Sequence, residues 1–183
     1  MKKALVAIIG LLSLLGVALA GTVALRDFSE HRDTANKYSI QYPSSWEKMP
    51  SDFIAIAKKQ LPDRDILLAL WSTDRYLSLS VAIEKVPSEA RGFTLKELFN
   101  RMLAISMISR QTISQEELKI QGVTAIKVVS SASTPNGLPA KYIHLFLIRK
   151  GTAWIIGIGG QPASFDNNRN QIDAVLSSLK FAS

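Results

Sequence analysis

The sequence predicts an α+β domain in which helices pack on both faces of an antiparallel β-sheet. Three observations support this fold class. Apolar, β-rich segments follow one another across short polar turns, as in hairpins. Segments with helical spacing interrupt these strands without alternating with every one of them. Residues 154–158 are apolar on both faces, which is typical of a central strand covered on each side. We therefore expect an α/β/α sandwich.

The N-terminus has the pattern of an export signal. Lys2 and Lys3 precede an uncharged apolar run over residues 4–25, and residues 18–20 give the small-x-small pattern that signal peptidase accepts. We expect residues 1–20 to be a signal peptide cleaved after Ala20. The alternative is a membrane anchor retained to about residue 25, because the run approaches the roughly 20 residues that span a bilayer. Both alternatives predict an exported domain.

Composition and charge narrow the function classes. Residues 21–36, which are polar from Arg26 onward, are predicted to be a linker or frayed helix, and residues 37–183 to be one folded domain. The net charge is +7, and its basic residues are scattered, which excludes a nucleic-acid groove but allows weak contact with an anionic membrane surface or an acidic partner. The chain has no cysteine, which excludes disulfides, thiolate metal sites, thiol nucleophiles and a lipid-modified N-terminal cysteine.

The first half of the domain reads as a strand, a helix and a hairpin. Residues 38–42 alternate apolar and polar side chains as a half-buried strand does, and Pro43 and two serines form a turn that leads to Trp46. Ser51 or Asp52 is expected to cap a helix that ends before Pro62. The segments 66–71 and 76–85 are separated by a short polar loop and should pair antiparallel.

The second half is predicted to be a helix, a run of strands and a final helix. Thr94 and Glu97 form a capping box before a helix that we expect to end near Ser109. Ser164 is expected to cap the last helix, which carries apolar residues from Phe165 to Leu179. Between these helices, turn residues separate four predicted strands, over 118–121, 123–131, 138–148 and 153–160.

Two stretches are similar to a known family. Residues 38–46, Tyr-Ser-Ile-Gln-Tyr-Pro-Ser-Ser-Trp, resemble the opening signature of the PsbP superfamily, and the hairpin over 141–158 with the closing segment 177–181 resembles its C-terminal part. This superfamily includes the photosystem II protein PsbP, the nuclear transport factor Mog1 and DcrB-like envelope proteins. The resemblance implies a Mog1/PsbP-like fold, which does not select among these tasks. Export excludes the nuclear role, and the absent lipobox cysteine departs from lipid-anchored members.

The few residues able to carry chemistry form no recognisable active site. His31 is expected to lie in the linker, whereas His144 shares a strand face with Tyr142. Two distant histidines cannot close a zinc site, and no clustered carboxylates have the spacing of a calcium loop. The glycines at 157, 159 and 160 lack a phosphate-loop pattern and are better explained by close strand packing or a tight turn. We assign no catalytic residue, metal or cofactor, and name Trp46, His144 and Tyr142 as a possible ligand or partner surface.

These observations favour an exported, non-enzymatic accessory or binding protein of the periplasm, envelope or thylakoid lumen. Such a protein would dock on a membrane complex or assist its assembly, and a photosystem II extrinsic or assembly protein is one form of this hypothesis. The alternative is a periplasmic domain that binds a small molecule or metal near Trp46 or His144. A hydrolase, suggested only by the abundance of serines, is a third hypothesis. The sequence predicts no oligomeric state.

Overall fold

Two antiparallel sheets and four α-helices make up the described part of the chain. The computed structural model describes residues 27–90, 92–104, 110–134 and 136–182, so the predicted signal peptide or anchor and the helix end near Ser109 lie outside the described residues. The helices are α1 (Ser51–Gln60), α2 (Leu95–Ala104), α3 (Pro162–Asn167) and α4 (Arg169–Ser177). The strands are β1 (Phe28–Asp33), β2 (Tyr38–Pro43), β3 (Glu47–Lys48), β4 (Arg64–Trp71), β5 (Leu77–Lys85), β6 (Arg110–Ile120), β7 (Val123–Ser133), β8 (Pro139–Arg149), β9 (Thr152–Gly160) and β10 (Lys180–Phe181).

The larger sheet has seven strands in the order β3-β4-β5-β9-β8-β7-β6, and every neighbouring pair is antiparallel. The predicted hairpin of β4 and β5 is confirmed, as are the successive hairpins from β6 to β9. The long-range pairing of β5 with β9 joins the two halves of the sheet. The smaller sheet has the order β1-β2-β10, in which β10 pairs antiparallel with β2.

Side chains of the central strands alternate between two hydrophobic clusters. On β8, Ile143, Leu145 and Leu147 pack in one cluster with apolar residues of α3, α4 and β2. Phe146, on the opposite face of the same strand, packs in a second cluster with Leu98 and Phe99 of α2. Successive side chains of a strand point to opposite faces of the sheet, so each face of β8 contributes to one of the two clusters. Each cluster also contains helix residues, and helices therefore cover both faces of the sheet. The predicted α+β class and α/β/α layering are confirmed.

Two predictions about polar segments were wrong. Residues 28–33, expected in a linker, form β1 and pair with all of β2. Glu30 and Arg32 pair with each other on the exposed face at 3.1 Å, while the ring of His31 lies 5.6 Å from that of Tyr38. Strand β6 begins at Arg110 and not near residue 118. Both are edge strands whose polar side chains conceal the alternation that reveals a half-buried strand.

The helix starts show which capping signals the fold uses. The Thr94 hydroxyl accepts a hydrogen bond from the Glu97 amide at 3.2 Å, and the Glu97 carboxylate accepts one from the Thr94 amide at 2.7 Å, so the capping box is confirmed. The other two predicted caps were wrong. Helix α1 follows Pro50, and α3 begins at Pro162 after Gln161, in both cases without a side-chain cap. Proline at the first helical position, with its fixed φ, supplies the start of α3. None of the described helices is long and apolar enough to cross a membrane.

Candidate functional site

A row of four residues crosses the α2 side of the large sheet near the end where β4 stops. Trp71 of β4 pairs with Ser78 of β5, Ser78 with Gly159 of β9, and Gly159 with Tyr142 of β8. Directly paired residues point to the same face of a sheet, so two small residues separate two large aromatic ones. We call this row the aromatic trough. A cavity of about 270 Å³ opens on it, and all four residues line that cavity.

The glycines of β9 allow the aromatic rings of β8 to lie across the neighbouring strand. A Cβ atom at Gly159 would overlap the Tyr142 ring, and one at Gly157 would lie 3.3 Å from Cδ2 of His144. The rings of Tyr142 and His144 are themselves stacked, with centroids 6.1 Å apart and 24° between their planes. The predicted close packing at the β9 glycines is therefore confirmed. Glycine in a strand interior often marks such an approach.

Exposed apolar and aromatic side chains surround the trough. Tyr76 is 48% exposed and Leu138 is 59% exposed, and both line the cavity. The Arg75 guanidinium carbon lies 4.6 Å from the centroid of the Trp71 ring and its Nη2 donates to a carboxylate oxygen of Glu47 at 2.6 Å. The ring of Phe53 also makes an edge contact with the Trp71 ring, with centroids 4.7 Å apart, although Phe53 is 53% exposed. Aromatic and arginine side chains thus share one solvent-facing area.

Arg110 and His144 form a polar pair behind the trough. The Nη1 atom of Arg110 lies 3.2 Å from Nε2 of His144, and its guanidinium carbon lies 4.7 Å from the centroid of the Tyr142 ring. Because a guanidinium can only donate, Nε2 of His144 must accept and its proton must be on Nδ1. Burial, with further contributions from the charges of Arg110 and Arg64, lowers the pKa of His144 to about 3. His144 is therefore neutral at physiological pH.

Three buried polar atoms around this pair have no hydrogen-bond partner: Nδ1 of His144, Nε of Arg110 and Oγ of Ser130. Within the described residues, Arg110 lies in no salt bridge. Burial lowers the pKa of Arg110, which means that its charge is poorly solvated. Buried donors without acceptors are costly, so these atoms reduce the stability of this region.

The geometry does not favour the chemistry of a hydrolase. A general base needs a free lone pair within reach of the proton that it removes. The Nε2 lone pair of His144 already accepts from Arg110, and its ring is buried. Among the described residues there is also no group of three or more histidine, aspartate and glutamate side chains placed to hold a metal ion. His144 is therefore not placed to act as a general base in this structure.

The structure separates the three residues that the sequence named as a possible surface. Tyr142 and His144 lie together on the α2 side, where the His144 ring is 6.3 Å from Phe99. Trp46 is 7% exposed and belongs to the hydrophobic cluster on the opposite side of the sheet. Sequence reasoning did not identify Trp71 and Arg110 as neighbours of Tyr142. The only local signal was the glycine-rich end of β9, which implies that something packs closely over it.

Comparisons with known proteins show the fold. No protein-family model and no curated protein matches the chain. The solution structure of cyanobacterial PsbP (CyanoP) from Synechocystis sp. PCC 6803 is similar over 91% of this chain and 99% of its own, with a TM-score of 0.65 and 16% identity. LpqN, involved in cell envelope biogenesis of Mycobacterium tuberculosis, matches over 89% and 98%, with a TM-score of 0.56 and 10% identity.

The Saccharomyces cerevisiae Ran-binding protein Mog1p is also similar, over 84% of this chain and 95% of its own, with a TM-score of 0.53 and 9% identity. These three neighbours share little sequence with the chain. Structural similarity at such low sequence identity shows a shared fold but not a shared function. The expected relationship is confirmed at the level of structure: the chain has the PsbP/Mog1 fold.

Proposed function

We propose that this chain is an exported, non-enzymatic binding or accessory protein of the cell envelope or a lumen, which docks on a membrane complex or assists its assembly. The observation that carries the proposal is the solvent-facing area formed by Phe53, Trp71, Arg75, Tyr76 and Leu138. Tryptophan, tyrosine and arginine dominate the binding energy of protein interfaces, whereas exposed side chains of this kind are uncommon as a group on a surface with no partner.

The fold neighbours and the N-terminal sequence support the same class of function. Mog1p is a Ran-binding protein and LpqN is involved in cell envelope biogenesis, so the fold is used by proteins that bind or assist others. The basic start and the apolar run over residues 4–25 support export. An exported domain with an interface-like surface is suited to contact with a partner at the membrane.

A small-molecule site is the second candidate function. It is supported by the cavity of about 270 Å³ that Trp71, Tyr76 and Tyr142 line. That volume is below the roughly 300–1,000 Å³ of most ligand pockets. A thermal-shift screen of the purified protein distinguishes this candidate, because a ligand at a hundred times its Kd stabilises the fold by about 2.7 kcal/mol. A screen in which no compound raises the melting temperature argues against it.

In situ crosslinking of the tagged full chain in its native membranes tests the leading proposal. We expect mass spectrometry to recover defined subunits of one membrane complex, and the chain's own N-terminal peptide will show whether cleavage follows Ala20. Photosystem subunits would support the photosynthetic form of the proposal, and envelope or transport components would support the envelope form. A chain that captures no subunit, together with unchanged membrane complexes in a deletion strain, would contradict both.

A further inference from the structure

We propose that the aromatic trough binds an extended segment of the partner protein in which a large apolar side chain lies next to a carboxylate, and that Arg110 receives the carboxylate. This inference rests on the proposed function and specifies the chemistry of the partner. The shape of the trough, the charge beside it and the extent of the apolar area around it all support this partner chemistry.

The shape of the trough fits one large apolar side chain. Ser78 and Gly159 form a floor of small residues between Trp71 on β4 and Tyr142 on β8. The Tyr142 ring leans over Gly159, so the open width extends over about two strand spacings, or roughly 9–10 Å. An aromatic or branched aliphatic side chain placed on Ser78 would contact both aromatic walls, an arrangement that interface hot spots commonly use.

The charge beside the trough calls for an anion. Arg110 is half-buried and stacks on the Tyr142 wall at 4.7 Å, its Nη1 faces Nε2 of His144 at 3.2 Å, and within the described residues it lies in no salt bridge. Arg64, another half-buried arginine of this region, is paired with Glu84 at 3.2 Å. A guanidinium has five N–H donors and a fixed positive charge, so Arg110 is the cation here whose charge no described carboxylate balances.

The extent of the apolar area favours a polypeptide over a free small molecule. Outside the cavity lining, exposed Phe53 contacts Trp71, and exposed Ile56 follows on the same helix. Exposed Leu138, which immediately precedes β8, lines the cavity. A small ligand is mostly enclosed by its pocket, whereas these side chains lie outside the cavity or on its rim. An extended segment that crosses the strand ends would contact all of them.

Site-specific photocrosslinking tests the location. A benzophenone amino acid replaces Tyr76 or Leu138 in the full chain in its native host, and replaces Lys119, exposed near the opposite end of β6, as the control. We expect both rim positions to give an adduct with the same partner protein, and Lys119 to give none. The crosslinked peptide should contain an aromatic or large aliphatic residue beside an aspartate, a glutamate or a C-terminus. Adducts from Lys119 alone, or adducts between two copies of this chain, would overturn the inference.

A binding measurement tests the role of Arg110. The crosslinked segment is synthesised as a peptide and titrated against the purified protein. Arg110→Gln should weaken binding at least about tenfold, because the peptide's carboxylate would be buried without a positive partner. Arg149→Gln is the matched control, because Arg149 also stacks on an aromatic ring, that of Phe181 at 5.0 Å, away from the trough. Replacing the peptide's carboxylate with an amide should weaken binding to the original protein and leave binding to Arg110→Gln unchanged.

Other results separate this inference from the proposed function. If chemical crosslinking captures a membrane partner but neither rim position does, the inference fails and the proposed function stands. Equal affinity of the original protein and Arg110→Gln for the peptide also refutes the carboxylate contact. If N-acetylphenylalanine binds as tightly as the peptide and shows the same loss with Arg110→Gln, a small-molecule site replaces the peptide site.

Discussion

Because Gly159 is in close contact with the Tyr142 ring, we expect a methyl group at residue 159 to destabilise the fold. In Gly159→Ala, the new methyl group would overlap atoms Cδ1 and Cε1 of the Tyr142 ring. The ring cannot move freely, because it also contacts the His144 ring and the Arg110 guanidinium. Overpacking of this kind costs about 1–3 kcal/mol. For a domain of this size, that loss corresponds to a fall in the melting temperature of roughly 2–12 °C.

A double-mutant cycle with Tyr142→Ala measures the contact itself. Removing the ring leaves room for the methyl group, and alanine is less costly than glycine in a strand, by about 0.5–1 kcal/mol. We therefore expect Gly159→Ala to be neutral or stabilising in the Tyr142→Ala background, with a coupling energy above about 1 kcal/mol. Urea unfolding followed by tryptophan fluorescence gives the free energies. Gly157→Ala, whose Cβ would lie 3.3 Å from the His144 ring, is the milder control. A Gly159→Ala variant as stable as the original protein would refute the described position of Tyr142.

Three further predictions concern the core, a helix cap and pH. Trp46→Ala should lower the free energy of unfolding by about 3–5 kcal/mol, because Trp46 is buried; an unchanged melting temperature would contradict its core role. Thr94→Ala should cost about 1 kcal/mol by removing the cap of α2, measured by thermal unfolding with the exposed Thr34→Ala for comparison. The pKa of His144 is lowered to about 3, chiefly by burial, so the unfolded chain takes up this proton more readily than the folded one. The free energy of unfolding should therefore fall by about 2 kcal/mol on this account between pH 7 and pH 5. His144→Gln should lose that part of the pH dependence, and an identical slope in both proteins would contradict the burial of His144.

The elements that could be predicted are those with a local sequence signal. The hairpin of β4 and β5 follows from two apolar segments around a short polar loop, and the start of α2 from the pairing of Thr94 with Glu97. The edge strands β1 and β6 were missed or shortened for a physical reason. Edge strands expose one side and carry polar residues such as Glu30 and Glu116, so their apolar periodicity is weak.

The candidate site could be predicted only in part. Tyr142 and His144 are two residues apart on one strand, so the sequence alone places them on the same face. Trp71 and Arg110 join them through pairings that are distant along the chain, in particular that of β5 with β9. The register of these strands is set by the whole sheet, and no local pattern encodes it. Whether Arg110 forms a salt bridge likewise depends on which carboxylates the fold brings near it, and the sequence does not show this.

We propose that the area around the trough is the surface with which this protein binds its partner. The most direct test removes two of its exposed side chains, in the full-chain variant Tyr76→Ser/Leu138→Ser, and repeats the crosslinking in native membranes. We expect partner recovery to be lost while the melting temperature changes little, because both residues are largely exposed. A second variant, Glu117→Ser/Lys119→Ser, which changes exposed residues toward the opposite end of β6, should recover the partner normally. Normal recovery by Tyr76→Ser/Leu138→Ser would contradict the claim.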